Sequence, residues 1–275
     1  MFRYANEITG WIITKKVKIA YVTTQEASDV FPLISALKEL IRQHGEVAEV
    51  AVRSGEDLKD VDQWEEFEHF ARSCHIAIFN LHGGKKSLSS FDELVQSLQD
   101  SSVSIYAQSA SNEPEIELMK LSTVDDAIYR TVSQYLDYGG RKNFYSLILY
   151  LANYFIGSNY EFSEPARPIW EGIYHPDFDH VPTLKEYLQS KCVAGRPTVG
   201  LWFYQSLWQA GNTLFIDRLI EEIERQGANV IPVFLHAAKD VERGTKGAEW
   251  VVENLFMKDG RPIIDVLIST LMFSL

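Results

Sequence analysis

Seven short apolar runs, separated by stretches of helical periodicity, constrain what this chain can fold into. Lys18 to Val22, Val47 to Val52, His75 to Asn80 and Val103 to Ala107 form a first set. Thr198 to Tyr204, Val230 to Leu235 and Ile263 to Ile268 form a second. Most are rich in β-branched or aromatic residues and nearly continuous in apolar character, which suits strands buried on both faces. The intervening segments read as amphipathic helices. In the first, Val30, Leu33, Ile34, Leu37, Leu40 and Ile41 fall on one face; Ser28 or Asp29 is placed to cap its start and Gly45 to end it. Trp64, Phe67, Phe70 and Ala71 mark a second helix, Phe91 to Asp100 a third. In the later set, Phe215, Leu219, Ile220 and Ile223 line a helix over Asn212 to Gln226, and Ala248 to Phe256 form another.

Strand and helix alternating in this way, with apolar strands, predict parallel sheets covered by helices. The recurrence implies an α/β chain of two related flavodoxin-like or Rossmann-like βαβ units with parallel sheets, joined by a helical and irregular segment. The expected boundaries are 1–157 for the first unit with a helical extension, 158–182 for a connector, and 183–275 for the second unit. Residues 115–137 and 143–156 read as two longer helices separated by Gly139-Gly140. The connector holds four of the nine prolines, yet Trp170, Tyr174 and Phe178 make it too aromatic for a floppy linker. Leu184 to Ser190 is a short helix. The second unit stops just after its third strand, at LISTLMFSL, so it is expected to be incomplete, the front end of something longer.

Composition excludes several classes. The net charge of −12 gives no excess of Lys and Arg with which to grip a nucleic-acid backbone over a broad face. Cys74 and Cys192 are the two cysteines and no CxxC exists, which argues against a disulfide framework or a zinc site and favours a reducing, cytoplasmic setting. Trp11-Ile12-Ile13 is too short for a signal-peptide core. Leu147 to Ile156, interrupted by Asn153, is about half the ~20 residues a bilayer span needs, and reads as a buried helix. Gly83 to Ser87 (GGKKS) hints at a phosphate loop, but Phe79 stands where that motif needs glycine. There is no GxGxxG, GxSxG or HExxH. Glu65-Glu66 and Glu221-Glu222 read as solvated helix faces.

In open parallel α/β sheets ligands bind outside the carboxyl ends of the strands, and four features fall there. In Asn80-Leu81-His82-Gly83-Gly84 the glycines let backbone amides approach a ligand and the imidazole can donate, accept or bind metal; the bland reading is a turn with a solvated histidine. In the turn Tyr204 to Asn212, Ser206 and Asn212 can cap a helix or hold a ligand, its helix start can receive an anion, and Trp208 can stack on a flat ring or fill the core. In Gly172 to Pro176 the proline holds His175 in an extended pose, as a ligand or as a structural histidine bonded to backbone. His236 reads as a solvated loop histidine.

One resemblance stands out. GIYHP, then PTVGLWFYQSLWQAGNTLFIDRLIEEIERQGANVIPVF, and the terminal FSL resemble the large subunits of the cobaltochelatase (CobN) and magnesium chelatase family over about 170–275. Over 1–165 the resemblance rests on strand order and the Gly-Gly pair alone. It implies the amino-terminal part of a larger subunit that inserts Co²⁺, or Mg²⁺ in the cousin family, into a tetrapyrrole. ATP is then hydrolysed by separate ATPase partner subunits, in keeping with the missing phosphate loop. No catalytic base is assigned, and no metal-ligand set. The candidate substrate-binding residues are His82, Gly83, Gly84, Tyr174, His175, Ser206, Trp208 and Asn212. The competing reading is a non-catalytic two-unit ligand-binding or regulatory module; a flavin-binding protein is a third.

Overall fold

Strand β1 (Val17–Thr23) starts a four-stranded sheet, and the elements that follow alternate around it: α1 (Glu26–His44), β2 (Ala48–Ser54), α2 (Val61–Ala71), β3 (Ile76–Leu81), α3 (Phe91–Gln99) and β4 (Ser104–Ser109). Three more helices follow, α4 (Ile116–Met119), α5 (Asp126–Tyr138) and α6 (Gly140–Ile156). The structure, a computed structural model, describes residues 15–24, 26–110, 115–241 and 243–271; Trp11-Ile12-Ile13 and the terminal Phe273-Ser274-Leu275 lie outside them. The later part contains β5 (Gly172–Ile173), α7 (Leu184–Lys191), β6 (Thr198–Tyr204), α8 (Gln205–Ala210), α9 (Leu214–Arg225), β7 (Asn229–Leu235) and α10 (Gly247–Val251). It ends in β8 (Met257–Lys258), β9 (Arg261–Pro262) and β10 (Val266–Ser269). The chain divides into two compact units, residues 1–24, 36–133 and 145–164 in one and 25–35, 134–144 and 165–275 in the other.

The first sheet has the order β2-β1-β3-β4 and is parallel throughout, as the apolar strands predict. One face packs Ala20, Val22, Ala77, Phe79, Ile105 and Ala107 against Phe67, Phe91, Leu94 and Leu98. Burying an aromatic or leucine side chain of this kind stabilises the fold by about 1.5–3 kcal/mol. Helix α1 begins at Glu26, so Ser28 and Asp29 lie inside it and neither caps it; Asp29 is buried. The helix predicted over 115–137 is broken after Met119. There the hydroxyls of Ser122 and Thr123 accept the Ala107 and Ile105 amides of β4, at 2.9 and 2.8 Å. Asp125 Oδ1 then caps α5 by accepting from Ala127 and Ile128. Short polar side chains that compete for backbone partners end a helix that residue count alone extends.

The second sheet has the order β10-β6-β7-β5. Three strands are parallel, but β5 runs antiparallel to β7, so this sheet is mixed and the expectation of a parallel one is corrected. The reason lies at the edge of β7. All seven of its residues are buried, its outer hydrogen-bonding groups need a partner, and the connector supplies two residues of strand. Gly172 permits this, because a Cβ there would stand 2.5 Å from Val181 Cγ1 and 2.9 Å from Phe234 Cζ. One face of the sheet packs on Ile216 and Ile220 of α9, the other on Tyr187, Val251 and Phe256. The predicted strand 263–268 begins later, at Val266, because β8 and β9 form a hairpin across Asp259-Gly260.

Candidate functional site

The carboxyl end of the first sheet is polar where the rest of the sheet is apolar. Register places Thr23, Asn80 and Gln108 side by side on adjacent strands, with Tyr21 and Tyr106 one pleat below on the same face. All five are buried. Gln108 Nε2 donates to Asn80 Oδ1 at 2.9 Å, Asn80 Nδ2 lies 3.4 Å from Tyr21 Oη, and the Tyr106 hydroxyl donates to Gln108 Oε1. Tyr129 packs its ring 4.8 Å from that of Tyr106. Buried amides and phenols that satisfy one another make a rigid polar floor.

The loop after β3 rises from this floor. The His82 amide donates to Thr24 Oγ1 at 2.7 Å and its carbonyl accepts from the same hydroxyl, which pins the loop to the end of β1. Gly83 and Gly84 both have positive φ, 89° and 65°, and the carboxylate of Glu115 fills the space a side chain on Gly84 would need. His82 and Gly83 are exposed. Lys85 pairs with Glu117 at 3.7 Å. The sequence brought forward His82, Gly83 and Gly84 but not Thr23 or Gln108. Their signal was a polar residue at the carboxyl end of an otherwise apolar strand.

The other candidates lie in the second unit. Tyr174 donates its phenol to Asp217 Oδ1 at 2.7 Å, and its oxygen lies 2.9 Å from Thr213 Oγ1. Burial, together with the Asp217 carboxylate, pushes the phenol up to about 12. The next residue, His175, is buried and uses both ring nitrogens. Nδ1 accepts from the Asp177 amide at 3.1 Å, so Nε2 carries the proton toward Glu224 Oε1 at 3.2 Å. This geometry favours the structural role among the two that the sequence left open.

The turn after β6 is itself helix α8, which starts directly off the strand with no side-chain cap at Tyr204. Ser206 therefore sits in its first turn. Asn212 follows its carboxyl end and donates its amide to Leu207 at 2.9 Å. Neither side chain caps α9, whose N-cap position is Thr213, so the capping reading of both is corrected. Trp208 lies flat on Phe234, with ring centroids 4.1 Å apart and planes 4° from parallel. Tyr174 approaches the Thr213 turn beside Asn212, while His175 reaches Glu224 near the far end of α9.

A second set of residues meets at the carboxyl end of the second sheet, and the sequence reading passed over most of it. Buried Gln205 donates to the Ile169 carbonyl at 3.2 Å and to Gln209 Oε1 at 2.8 Å; Gln209 in turn donates to the Tyr138 carbonyl at 2.6 Å. Trp170 donates its indole N–H to the Arg243 carbonyl at 2.9 Å and meets the His236 ring edge-on at 5.7 Å. His236 donates Nδ1–H to the Ala238 carbonyl at 3.2 Å, a tethered loop histidine. The i, i+4 spacing of Gln205 and Gln209 was the available signal. Among the described residues no three His, Cys, Asp or Glu side chains converge to hold a metal ion, and no helix is long and apolar enough to cross a membrane.

Comparison with known proteins shows what the chain is similar to. The family described as CobN/Magnesium Chelatase matches residues 133–275. An uncharacterized protein of Methanocaldococcus jannaschii is 34% identical over 264 residues, 94% of this chain and 21% of that protein. The aerobic cobaltochelatase subunit CobN of Pseudomonas aeruginosa is 28% identical over 184 residues, 67% of this chain and 15% of that subunit. The catalytic subunit of cobaltochelatase from Mycobacterium tuberculosis has the same fold over 82% of this chain and 17% of its own, with a TM-score of 0.56 at 17% identity. The chain thus spans about a fifth or less of the length of these relatives.

Proposed function

Because the chain belongs to the CobN/magnesium chelatase family, we propose that it forms part of a chelatase large subunit that inserts cobalt into a corrin-precursor tetrapyrrole. The observation that carries the reading is the family match over 133–275, which takes in the whole second sheet and the residues at its carboxyl end. ATP is hydrolysed by separate partner subunits. The metal is a substrate, arriving hydrated and leaving in the ring.

Insertion exchanges two pyrrolic protons for one metal ion, so the site needs a proton acceptor, a flat surface for the ring and cations for its carboxylates. In the first unit, His82, exposed on a loop held by Thr24, and the Gly83-Gly84 backbone beside it are substrate contacts in this proposal, and no proton acceptor is assigned to this chain. In the second unit, taken by itself, Trp208 and Asn212 are the substrate contacts in this proposal. His175 and Tyr174 contribute by holding β5 and the start of α9, and Ser206 by its place in α8.

The test is metal insertion by the parent subunit with its ATPase partners, using a metal-free corrin precursor or a porphyrin and Co²⁺ or Mg²⁺. The absorption band of the ring is followed. ATP-dependent cobalt insertion into the corrin precursor is the expected result. Magnesium insertion into the porphyrin would establish the cousin activity instead. Failure of both would leave the non-catalytic ligand-binding module as the better account.

A further inference from the structure

The two sheets share one strand order up to a point. In the first, β2 and β3 flank β1, and β4 pairs parallel on the outer edge of β3. In the second, β7 and β10 flank β6 in the same way, so β10 stands where β3 does. Their surroundings differ. Every residue of β3 is buried, whereas every residue of β10 is exposed, Val266 at 53%, Leu267 at 37% and Ile268 at 38%. Among the described residues no strand pairs with the outer edge of β10. The Asp265 amide bonds inward to the Thr198 carbonyl at 2.8 Å, and backbone groups alternate along a parallel strand, so those of Val266 and Ile268 face outward. An apolar parallel strand left open on its faces and along its edge is a template for pairing.

The first sheet shows what fits such an edge. There α2 and α3, the connections before and after β3, cover the same face: Phe67 of α2 and Phe91, Leu94 and Leu98 of α3 share one core. Right-handed crossovers place them so. In the second sheet α10 is the counterpart of α2, and Leu267 lies on its side, since a Cβ on Gly200 would meet Leu267 Cδ1 at 3.2 Å and Phe256 Cε1 at 3.3 Å. Buried Trp202 belongs to the same core and pairs in register with Ser269 of β10. Its indole N–H has no acceptor among the described residues, and a buried donor needs one. We propose that β10 is a docking edge for a helix–strand pair, the counterpart of α3 and β4, with the strand parallel to β10 and the apolar stripe of the helix over Leu267. The occupant is polypeptide of the same parent subunit; this chain spans about a fifth or less of its relatives' length. In taking the occupant from a larger subunit, the proposal rests on the chelatase reading.

The experiment follows hydrogen–deuterium exchange in peptides spanning β10, in the 275-residue chain and in the parent subunit, without substrate or metal. In the 275-residue chain the Val266 and Ile268 amides are expected to exchange rapidly. In the parent they should exchange at least about a hundredfold more slowly. Ile268→Pro removes one outward donor, which an edge strand tolerates and an inner strand does not; Ile268→Ala removes the same side chain and keeps the donor. The two variants should melt alike in the 275-residue chain, while in the parent the proline variant alone should restore rapid exchange at β10. Rapid exchange in the wild-type parent overturns the proposal and leaves the chelatase reading standing, because metal insertion is measured separately. Proline and alanine variants that behave alike in the parent also overturn it. So does protection already present in the 275-residue chain: a dimer in light scattering makes a second copy the occupant, and a monomer makes it a segment of this chain.

Discussion

At the scale of single residues, the second unit is held by buried polar side chains that bond to backbone far away in sequence. Asn229 is the strongest case. Its amide spans the end of α7 and the start of β6, donating to the Val193 carbonyl at 3.0 Å and accepting from the Val193 amide at 2.8 Å. Asn229→Leu leaves both groups unpartnered, and a loss of about 1–3 kcal/mol is expected in denaturant unfolding. His175→Ala is expected to cost a similar amount, because the Asp177 amide and the Glu224 carboxylate lose a buried partner; an unchanged melting temperature would refute the structural role assigned to it. Tyr174 makes a pH prediction. Its folded pKa, about 12, is above the usual 10, so the folded state keeps a proton that the unfolded state gives up between those values. Stability from this phenol is complete below pH 10 and is lost as pH rises through 12. The melting temperature of wild type should fall more steeply over that window than that of Tyr174→Phe. Little of this was legible beforehand. His175 and Glu224 are 49 positions apart, and no spacing rule couples them.

Elements were legible where a local rule carries the answer. Asp60 accepts from Gln63 and starts α2; Thr183 and Glu186 form a reciprocal capping box on α7; both can be read from the residues alone. Elements whose form is set by a neighbour were not. Two residues of β5 carry no periodicity, and their strand character comes from the edge of β7. The same logic governs Gly140, which has φ of 78° and whose missing Cβ leaves room for Gln209 Nε2, 2.5 Å from where that atom would be. Gly140→Ala introduces both a disfavoured backbone conformation and an overlap, and should destabilise the chain by about 1–3 kcal/mol. Gly172→Ala, with no positive φ, tests overlap alone, against Val181 and Phe234. If urea unfolding shows Gly140→Ala as stable as wild type, the Gln209 bridge to Tyr138 is not fixed in solution.

At the scale of the molecule, the alternation of apolar runs was enough to foresee an α/β chain, yet it could not show which segments each unit recruits. The second unit includes 25–35 and 134–144 as well as 165–275. The bonds that tie these pieces are specific: Gln209 to the Tyr138 carbonyl, Arg167 to the Tyr138 hydroxyl, and Asn143 to both the amide and the carbonyl of Ala166. A fragment of 165–275 keeps all four strands of the second sheet but loses every one of these partners. It buries less apolar surface than the whole unit, and a domain of about a hundred residues has only some 5–15 kcal/mol in hand. We therefore expect the isolated fragment to show a broad, low-temperature melt and to bind a hydrophobic dye, while the 275-residue chain melts sharply. A fragment that melts as cooperatively as the whole chain would mean that the Tyr138 corner is an attachment to a self-sufficient unit.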